Sequence, residues 1–287
     1  MKISEKFKQK KPVLSFEIFP PKKDSALKDI DETLGILCEC RPDFISVTFG
    51  AGGSSNNNRT IELAKKIKYE YHVEPLVHLT CLTYDRGEIE EFSRVLQDNG
   101  LQNVLALRGD HNPNVPARDD FRHASGLTEY LKKYGDFCVA GACYPECHPE
   151  SPSRVEDITH LKEKVDAGDE FLISQLFFEN EMFYSFVERC RISGIHVPIT
   201  PGIMPVINKA QIEKMVTMCG ASLPERFRRI TNKFEDNKEA LFDAGLAYAV
   251  SQVIDLLAND VDGIHLYTMN NPRVARRICE GIKNIIP

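Results

Sequence analysis

The chain has 287 residues, of which 42% are hydrophobic, and a formal net charge of −6 at pH 7. This composition predicts a single globular domain over residues 1–287, because a chain of this length can bury most of its apolar surface in one core. The acidic balance argues against a general nucleic-acid or anionic-membrane surface, since both need clustered positive charge. No run of the sequence approaches the roughly 18 apolar residues of a membrane span.

The N-terminus and the cysteines predict a cytoplasmic protein. The basic stretch at residues 1–11 has no apolar segment before a cleavage site, so it does not have the pattern of a secretory signal. Nine cysteines leave at least one thiol free, and reduced thiols are usual in the cytosol. Cys143, Cys147 and His148 are close in sequence, but their spacing is not a standard zinc pattern, and we expect no metal.

Strand-like apolar runs alternate with helix-like segments along the chain. The runs lie at residues 13–19, 44–49, 75–82, 103–108, 137–143, 171–178, 197–204 and 263–268. Between them, apolar residues recur at helical spacing, as at Ile30, Leu34 and Leu37. Eight strands in strict β-then-α order predict a closed parallel (β/α)8 TIM barrel. Extra helices are predicted between the seventh and eighth strands, at 209–218, 223–230 and 236–259.

Chemically reactive or polar side chains stand where these runs end. They are Glu17, Thr48, His78, Asp110, Tyr144, His148, Gln175 and Tyr267. The carboxyl ends of parallel barrel strands meet on one face, which is where TIM-barrel enzymes build their active sites. The pattern therefore predicts one enzymatic site assembled from several strands. The polar stretch at 110–125 is long for a βα connection and is a candidate lid over that site.

Glu17 is the sharpest catalytic candidate. Alternation along the first strand places Ser15 and Glu17 on one face and Phe16 and Ile18 on the other, and the apolar face suits packing against helices. Glu17 is therefore predicted to point into the barrel near its mouth. A carboxyl group set among Phe and Pro residues, with no basic neighbour in sequence, is suited to donate a proton near neutral pH. The alternative is an ion pair between Glu17 and an Arg or Lys of another strand.

The turns after the second and fourth strands are candidate ligand contacts. Arg108 and Asp110 flank Gly109, so one could bind an anionic group and the other a heteroaromatic ring. Alternatively, the two could pair with each other across the turn. Thr48 precedes a glycine-rich stretch at 50–53 that can present backbone amides to an anion. A tight turn without a ligand explains that stretch equally well.

Two histidines and two helix charges are weaker candidates when each is taken alone. His78 and His148 are either ligand contacts or core histidines with satisfied hydrogen bonds. Asp157 and Lys164 are seven residues apart on a predicted helix, so they share a face and could reach a ribose and a phosphate. Solvated helix charges are the plainer interpretation of this second pair.

Nine short motifs together resemble the methylenetetrahydrofolate reductase family. They are FEIFPP at 16–21, VTFGAGG at 47–53, HLTC at 78–81, LRGD at 107–110, YPECHP at 144–149, KVDAG at 164–168, SQLFF at 174–178, PGIMP at 201–205 and HLYT at 265–268. Each motif is weak alone, but the ordered set is specific and covers almost the whole chain. The resemblance is to the short bacterial catalytic form, without the C-terminal regulatory extension of the eukaryotic members.

The resemblance implies a cytoplasmic flavoprotein oxidoreductase of one-carbon metabolism and methionine biosynthesis. The implied reaction reduces 5,10-methylenetetrahydrofolate to 5-methyltetrahydrofolate, with Glu17 as the general acid and Asp110 as a second catalytic residue. Folate contacts are implied for Glu17, Asp110, Gln175 and Tyr267. The residues implied to hold the flavin are Thr48, His78, Leu107, Arg108, Gly109, Asp110, Ala142, Tyr144, His148, Asp157 and Lys164.

Three positions depart from the family pattern. Glu163 and His160 lie where the family would hold the pyrophosphate and adenosine, so FAD is expected and FMN is the alternative. Lys209 stands where the family has an aromatic residue that contacts folate and the nicotinamide donor. The donor therefore stays open between NADH, NADPH and a partner subunit of a larger complex, and we expect an oligomer. The competing function is a pterin-binding barrel of the methyltransferase type.

Overall fold

Parallel strands and helices alternate along the chain, as the sequence predicts. The computed structural model describes residues 1–9, 12–20, 27–49, 54–111 and 115–286. The strands are β1 (Val13–Ile18), β2 (Phe44–Val47), β3 (Glu74–Thr80), β4 (Asn103–Leu107), β5 (Cys138–Cys143), β6 (Phe171–Ser174), β7 (Ile199–Thr200), β8 (Gly202–Ile203) and β9 (Gly263–Tyr267). The helices are α1 (Ile3–Gln9), α2 (Leu27–Glu39), α3 (Ser54–Tyr69), α4 (Arg86–Asp98), α5 (Ala124–Tyr134), α6 (Arg154–Ala167), α7 (Asn180–Ile192), α8 (Lys209–Cys219), α9 (Glu225–Phe234), α10 (Lys238–Ala258) and α11 (Pro272–Ile282).

The strands form one parallel sheet that closes into a barrel. The strand order is β7-β6-β5-β4-β3-β2-β1-β9-β8. The two end strands, β7 and β8, flank Pro201 and pair with β6 and β9 respectively. Proline has no N–H to donate to a ladder, so a short break falls at that residue. Its carbonyl still accepts from the backbone N–H of His265 at 3.0 Å. The interrupted seventh strand therefore joins both ends of the sheet, which confirms the predicted (β/α)8 barrel.

Alternating side chains divide the apolar core into two parts. Outward-facing residues of the strands, such as Phe16, Val77 and Leu266, pack in the layer beneath the helices. Inward-facing residues fill the barrel itself, and these include Val13, Phe44, Leu76, Leu105 and Phe171. Strands covered on both faces must be apolar on both faces, which explains the continuous apolar runs in the sequence.

The first helix closes the amino-terminal end of the barrel. Ile3 and Phe7 on α1 are buried with the interior cluster, and the Phe7 ring centroid lies 5.2 Å from that of Phe171. The backbone N–H of Ile3 also donates to the Asn103 side chain at 2.8 Å. Helix α1 therefore covers the amino-terminal end of the barrel. The carboxyl ends of the strands are left open to a ligand.

The three helices predicted before the last strand are present as α8, α9 and α10. Gly245 brings α10 against the chain that follows β8, because an added Cβ there would lie 1.7 Å from the carbonyl oxygen of Val206. Among the described residues, α10 is the one helix that is long and apolar enough to cross a membrane by length and composition. Its Leu246, Ala249 and Val253 are buried in the core, as in a helix that packs on a barrel.

Asp169 is a buried carboxyl group between α6 and β6. Thr128 Oγ1 donates to its Oδ1 at 2.8 Å, while its buried Oδ2 has no hydrogen-bond partner among the described residues. Burial raises the pKa of Asp169 to about 6, with Lys164 and the Thr128 hydrogen bond opposing the shift. Gly141 on β5 makes room for this group, since an added Cβ would lie 1.9 Å from Oδ2.

Asp169 should make stability depend on pH in a definite direction. Its pKa is raised on folding, so the stabilising contribution of its proton is present at low pH and is lost as the pH rises through about 6. Asp169→Asn keeps an acceptor for Thr128 but removes the titration. We expect the free energy of unfolding of this variant, relative to that of wild type, to rise by about 3 kcal/mol as the pH increases from about 4 to 7. Urea unfolding at each pH measures this difference. The exposed Asp166→Asn should show no such gain, and a pH-independent difference for Asp169→Asn would contradict the assignment.

Candidate active site

A cavity of about 1640 Å³ opens at the carboxyl ends of the strands. It is larger than the roughly 300–1,000 Å³ of a pocket for one small ligand, so it has room for two ligands side by side. All the predicted site residues except Thr48 line it, which brings together Glu17, His78, Leu107, Arg108, Gly109, Asp110, Ala142, Tyr144, His148, Asp157, Lys164, Gln175 and Tyr267.

Thr48 lies just beyond β2 and outside the cavity lining. Its N–H donates to the carbonyl of Ile18 at 3.0 Å, and its own carbonyl accepts from Thr60 Oγ1 at 3.1 Å. The backbone of Thr48 therefore extends the pairing of β2 with β1 and anchors α3. The glycine-rich stretch predicted to contact an anion, 50–53, falls outside the described residues.

The described part of the predicted lid forms one wall of the cavity. Val115, Arg118 and His123 line it, while residues 112–114 fall outside the described ranges. The backbone N–H of Arg118 donates to the carbonyl of Leu82 at 2.7 Å, which fastens this segment to the chain that follows β3. Arg118 thereby stands beside the cavity with a cationic side chain.

Glu17 points into the barrel below the cavity mouth. Its side chain is 13% exposed, and its Oε2 lies 3.5 Å from His78 Nε2 and 3.8 Å from His265 Nε2. The predicted alternative was an ion pair with an Arg or Lys. Within the described part of the chain, the ionisable groups within 4.0 Å of this carboxyl are these two histidines. Glu17 is therefore a shielded carboxyl group without a permanent cation beside it.

His78 on β3 is a buried imidazole that stays neutral near neutral pH. Burial lowers the pKa of His78 to about 4, and His265 lowers it further while Glu17 opposes the shift. Its Nε2 is buried and makes no hydrogen bond with any described residue. Leaving a buried polar atom unpaired costs free energy, so a polar group of a ligand at this point would be stabilised.

Tyr267 and Gln175 lie on the same side of the cavity as Glu17. Glu17 is level with Tyr267 in the register of β1 and β9. The Tyr267 hydroxyl donates to the carbonyl of Ser174 at 2.7 Å, and burial raises its pKa well above the usual range, so it remains a phenol. Gln175 Oε1 accepts from the backbone N–H of Leu176 at 2.8 Å, which leaves the side-chain NH₂ as a donor.

Arg108 is held by Glu150, so the alternative of a pair between Arg108 and Asp110 across the turn is not what the structure shows. Its Nη1 and Nη2 donate to the two Glu150 carboxylate oxygens at 2.5 and 2.7 Å, a bidentate pair. This pairing lowers the pKa of Glu150 to about 2. Gly109 adopts φ 89°, which favours glycine. The turn exposes the side chain of Asp110 at the cavity mouth.

Tyr144 and His148 form an aromatic corner of the cavity. Their ring centroids are 4.6 Å apart at an interplanar angle of 70°. Burial raises the pKa of Tyr144 to about 12. His148 Nδ1 accepts from the backbone N–H of Glu150 at 3.1 Å, so a neutral His148 carries its proton on Nε2. Burial, followed by the charge of Arg108, lowers the pKa of His148 and favours that neutral form.

Helix α6 supplies a polar wall beyond this corner. Asp157 Oδ1 accepts from Ser151 Oγ at 3.2 Å, and Lys164 Nζ donates to the carbonyl of Ala142. Both helix residues line the cavity, so they are not simply solvated charges. Two further residues of the wall, His160 and Glu163, contact each other at 3.2 Å between Nδ1 and Oε2.

Lys209 lies away from this cavity. It begins α8, forms an ion pair with Glu235 and is not among the lining residues. Met204 and Met215 line the cavity in the neighbouring part of the chain. An aromatic wall for a nicotinamide is therefore not provided by residue 209 of this chain.

Ser15, His265 and Glu150 belong to the site although the sequence pattern did not single them out. Ser15 Oγ lies 2.8 Å from His265 Nδ1, and His265 in turn faces Glu17. A signal was present for His265, since it is two residues before Tyr267 and so shares its side of a strand. Glu150 follows the YPECHP motif directly, but its pairing with Arg108 spans 42 residues of sequence.

Comparisons with known proteins place the chain in a family. A sequence profile described as "Methylenetetrahydrofolate reductase" matches residues 2–283. The chain belongs to the methylenetetrahydrofolate reductase family. It is 35% identical over 266 residues to the 5,10-methylenetetrahydrofolate reductases of Pectobacterium carotovorum and Escherichia coli. Those alignments cover 93% of this chain and 88% and 89% of the two bacterial proteins.

Plant members of the methylenetetrahydrofolate reductase family are longer. The Arabidopsis thaliana protein called "Methylenetetrahydrofolate reductase (NADH) 1" is 35% identical over 289 residues, which cover 94% of this chain and 49% of the plant protein. The chain thus spans about half the length of its plant relatives. An uncharacterized protein from Clostridium thermocellum, described as binding two copies of 5-methyl-5,6,7,8-tetrahydrofolic acid, has a TM-score of 0.70 and 14% identity over 99% of this chain. That likeness concerns the barrel fold alone.

The position of the Tyr267 ring requires a glycine at residue 202 on β8. An added Cβ there would lie 2.2 Å from the Ser174 carbonyl oxygen and 2.6 Å from Tyr267 Cε2. We expect Gly202→Ala to displace Tyr267 and to lower the free energy of unfolding by about 1–3 kcal/mol. Gly35→Ala is the control, since a Cβ at that helical position meets no atom within 4 Å and should preserve or raise stability. Equal stability of the two variants, measured by urea unfolding, would refute the steric argument.

Proposed function

We propose that this chain is a flavin-dependent 5,10-methylenetetrahydrofolate reductase in which Glu17 is the general acid. The observation that carries this proposal is the position of Glu17, a carboxyl group inside the barrel that faces the large cavity. The adjacent His78 is neutral near neutral pH, so it does not hold Glu17 as a carboxylate. Membership of the family supports the substrate class, and the similar bacterial proteins bear the name of this activity.

We propose FAD as the cofactor, and the wall of the cavity supports this choice. The aromatic corner of Tyr144 and His148 suits a flavin ring, while Lys164 and Asp157 on α6 suit a phosphate and a ribose. The unpaired, buried Nε2 of His78 offers a further polar contact. FMN lacks the adenosine that the outer part of α6 would contact. When bound, the flavin supplies the hydride chemistry, and the protein supplies position and a proton.

The residues around Glu17 have separate tasks in this reaction. Glu17 gives its proton to the departing nitrogen of the folate imidazolidine ring, so an O–H bond breaks, an N–H bond forms and the ring C–N bond opens. Ring opening leaves an iminium carbon on the folate, to which a bound flavin would supply the hydride. Gln175 hydrogen-bonds the Tyr144 side chain, and its second amide hydrogen would donate to the folate. Tyr267 forms an apolar wall whose hydroxyl is already bonded to Ser174. Asp110, at the mouth, would contact the pterin.

A second candidate is a flavin subunit that receives electrons from a partner protein. The observation in its favour is that Lys209 is paired with Glu235 away from the cavity, so no aromatic ring at residue 209 is available to a nicotinamide. Reduction of the bound flavin by NADH and by NADPH, measured separately, distinguishes the two. Flavin reduction by an artificial dye but by neither nucleotide would favour the partner.

Glu17→Gln should separate the two half-reactions. The amide keeps the shape of the side chain but has no acidic proton to transfer. Reduction of the flavin by dithionite should be unchanged, because that step does not open the folate ring. Oxidation of the reduced flavin by methylenetetrahydrofolate should slow by roughly 10²–10⁴-fold, as is typical when a positioned acid is lost. Rapid-mixing absorbance at the flavin band measures both rates.

The control for this variant is another carboxyl group of the same cavity. Glu91 on α4 lines the cavity, is exposed and pairs with Arg94 at 2.8 Å. Glu91→Gln should leave both half-reactions at the wild-type rate. If Glu17→Gln slows both half-reactions equally, or neither, Glu17 has a structural role and Asp110 becomes the next candidate for the acid.

A further inference from the structure

Two partly buried thiols meet in the helix layer, beside the paired first and last strands of the barrel. Cys40 directly follows α2, which comes after β1, and Cys279 lies in α11, which comes after β9. Helices α2 and α11 pack against each other, and Arg276 of α11 donates to Glu39 at the end of α2 at 2.8 Å. Across this helix seam the two thiols are hydrogen-bonded to each other. Neither cysteine lines the cavity, so the proposed reaction uses neither.

The turn at the end of α2 fixes the position of the Cys40 sulfur. The backbone N–H of Cys40 donates to the carbonyl of Leu37 at 3.1 Å, and that of Arg41 donates to the carbonyl of Cys38 at 2.9 Å. The Cys40 thiol donates to the carbonyl of Ile36 at 3.5 Å. Two hydrogen-bonded thiols need only side-chain rotation to form a disulfide, whereas distant cysteines need the backbone to move. The seam therefore holds the two sulfurs ready for a bond.

Cys40 is the more reactive thiol of this pair. The hydrogen bond from the Cys279 thiol lowers the pKa of Cys40. Burial opposes this shift, the positive charge of Arg276 supports it, and the carboxylates of Glu39 and Glu280 oppose it. The same contact with Cys40, together with burial, raises the pKa of Cys279. Because the thiolate is the nucleophilic form of cysteine, Cys40 is the sulfur that an oxidant should meet first.

Cys38 is close to Cys40 in sequence but is poorly placed as its partner. Side chains two residues apart on a helix do not face each other, so a bond between Cys38 and Cys40 would require the end of α2 to unwind. Burial raises the pKa of Cys38 to about 11, and Cys40 adds to the shift, which keeps Cys38 protonated near neutral pH. Cys279 is therefore the favoured partner, although it is far away along the chain.

We propose that Cys40 and Cys279 form a reversible disulfide under oxidising conditions and that this bond locks the barrel closed. With hydrogen peroxide as the oxidant, the Cys40 thiolate attacks a peroxide oxygen, the O–O bond breaks, and a sulfenic acid and hydroxide form. The Cys279 sulfur then attacks the Cys40 sulfur, the S–O bond breaks and the S–S bond forms. The two thiols lose two electrons and two protons, and the peroxide becomes two water molecules.

The bond would join parts of the barrel that are distant in sequence. The loop that it closes runs from residue 40 to residue 279 and contains every strand from β2 to β9. A disulfide stabilises a protein mainly by restricting the unfolded chain, and in this account the effect grows with the length of the loop. It would also reinforce the pairing of β1 with β9, since the helices that follow these two strands would be covalently linked.

Peptide mapping of the oxidised holoprotein tests the pairing. The protein is exposed to hydrogen peroxide, its remaining thiols are alkylated and it is cleaved with trypsin. The peptide at 29–59, which carries Cys38 and Cys40, should be joined to the peptide at 278–283, which carries Cys279. Cys38→Ser is the matched control and should keep this cross-link, whereas Cys40→Ser should lose it. A disulfide within 29–59, or no cross-link at peroxide concentrations that oxidise other cysteines of the chain, would overturn the proposal.

Thermal unfolding tests the lock, with each protein compared in its oxidised and its reduced form. Oxidation should raise the unfolding midpoint of wild type by about 5–10 °C because the closed loop is long, and dithiothreitol should reverse the rise. Cys38→Ser should show the same rise and Cys279→Ser should show none. An equal rise in Cys279→Ser, or a cross-linked wild type whose midpoint is unchanged, would overturn the lock. Both measurements are independent of the proposed folate reaction.

Discussion

The pairing of β1 with β9 is the constraint on which the rest of this structure depends. It joins strands about 250 residues apart, as the contact between Ser15 and His265 shows, and it completes the barrel next to the broken seventh strand. Its register also sets Glu17 level with Tyr267. A slip of one residue would turn Glu17 towards the helix layer and Phe16 into the barrel, because side chains alternate along a strand.

Much of the fold could be predicted because the apolar runs are local signals. The runs that became strands are largely apolar on both faces, and seven of the eight end at a reactive or polar side chain. The site residues at those ends follow from barrel closure alone, which explains why His78, Tyr144 and Gln175 meet in one cavity. Thr48 did not follow this rule, because the pairing of its N–H with Ile18 continues the strand pairing beyond β2.

What the sequence did not reveal depends on distance along the chain and on register. The partner of Arg108 is Glu150, and no local pattern distinguishes that carboxyl from Asp110 two residues away. The sequence did not predict that α1 covers the end of the barrel, because a helix of seven residues with both acidic and basic side chains has only a weak helical pattern. The partner of Lys209 is Glu235, which lies 26 residues away along the chain. Each of these features depends on tertiary contacts, and the local sequence is compatible with several alternatives.

The site tolerates polar groups that a core would normally exclude. His78 leaves a buried nitrogen without a partner, and Glu17 has no lysine or arginine beside it among the described residues. Both arrangements cost stability, and both are expected where a protein must bind a polar ligand and hold a proton near it. The surrounding layers compensate through extensive apolar burial inside the barrel and beneath the helices.

A single-turnover experiment shows whether the reduced flavin of this protein passes its electrons to the folate. The protein is purified, its flavin is reduced under anaerobic conditions without excess reductant, and 5,10-methylenetetrahydrofolate is added alone. We expect the oxidised flavin spectrum to return and one 5-methyltetrahydrofolate to form for each flavin. A protein that binds the folate but holds no flavin after reconstitution, or whose flavin stays reduced, would contradict it and favour a folate-binding barrel of the methyltransferase type.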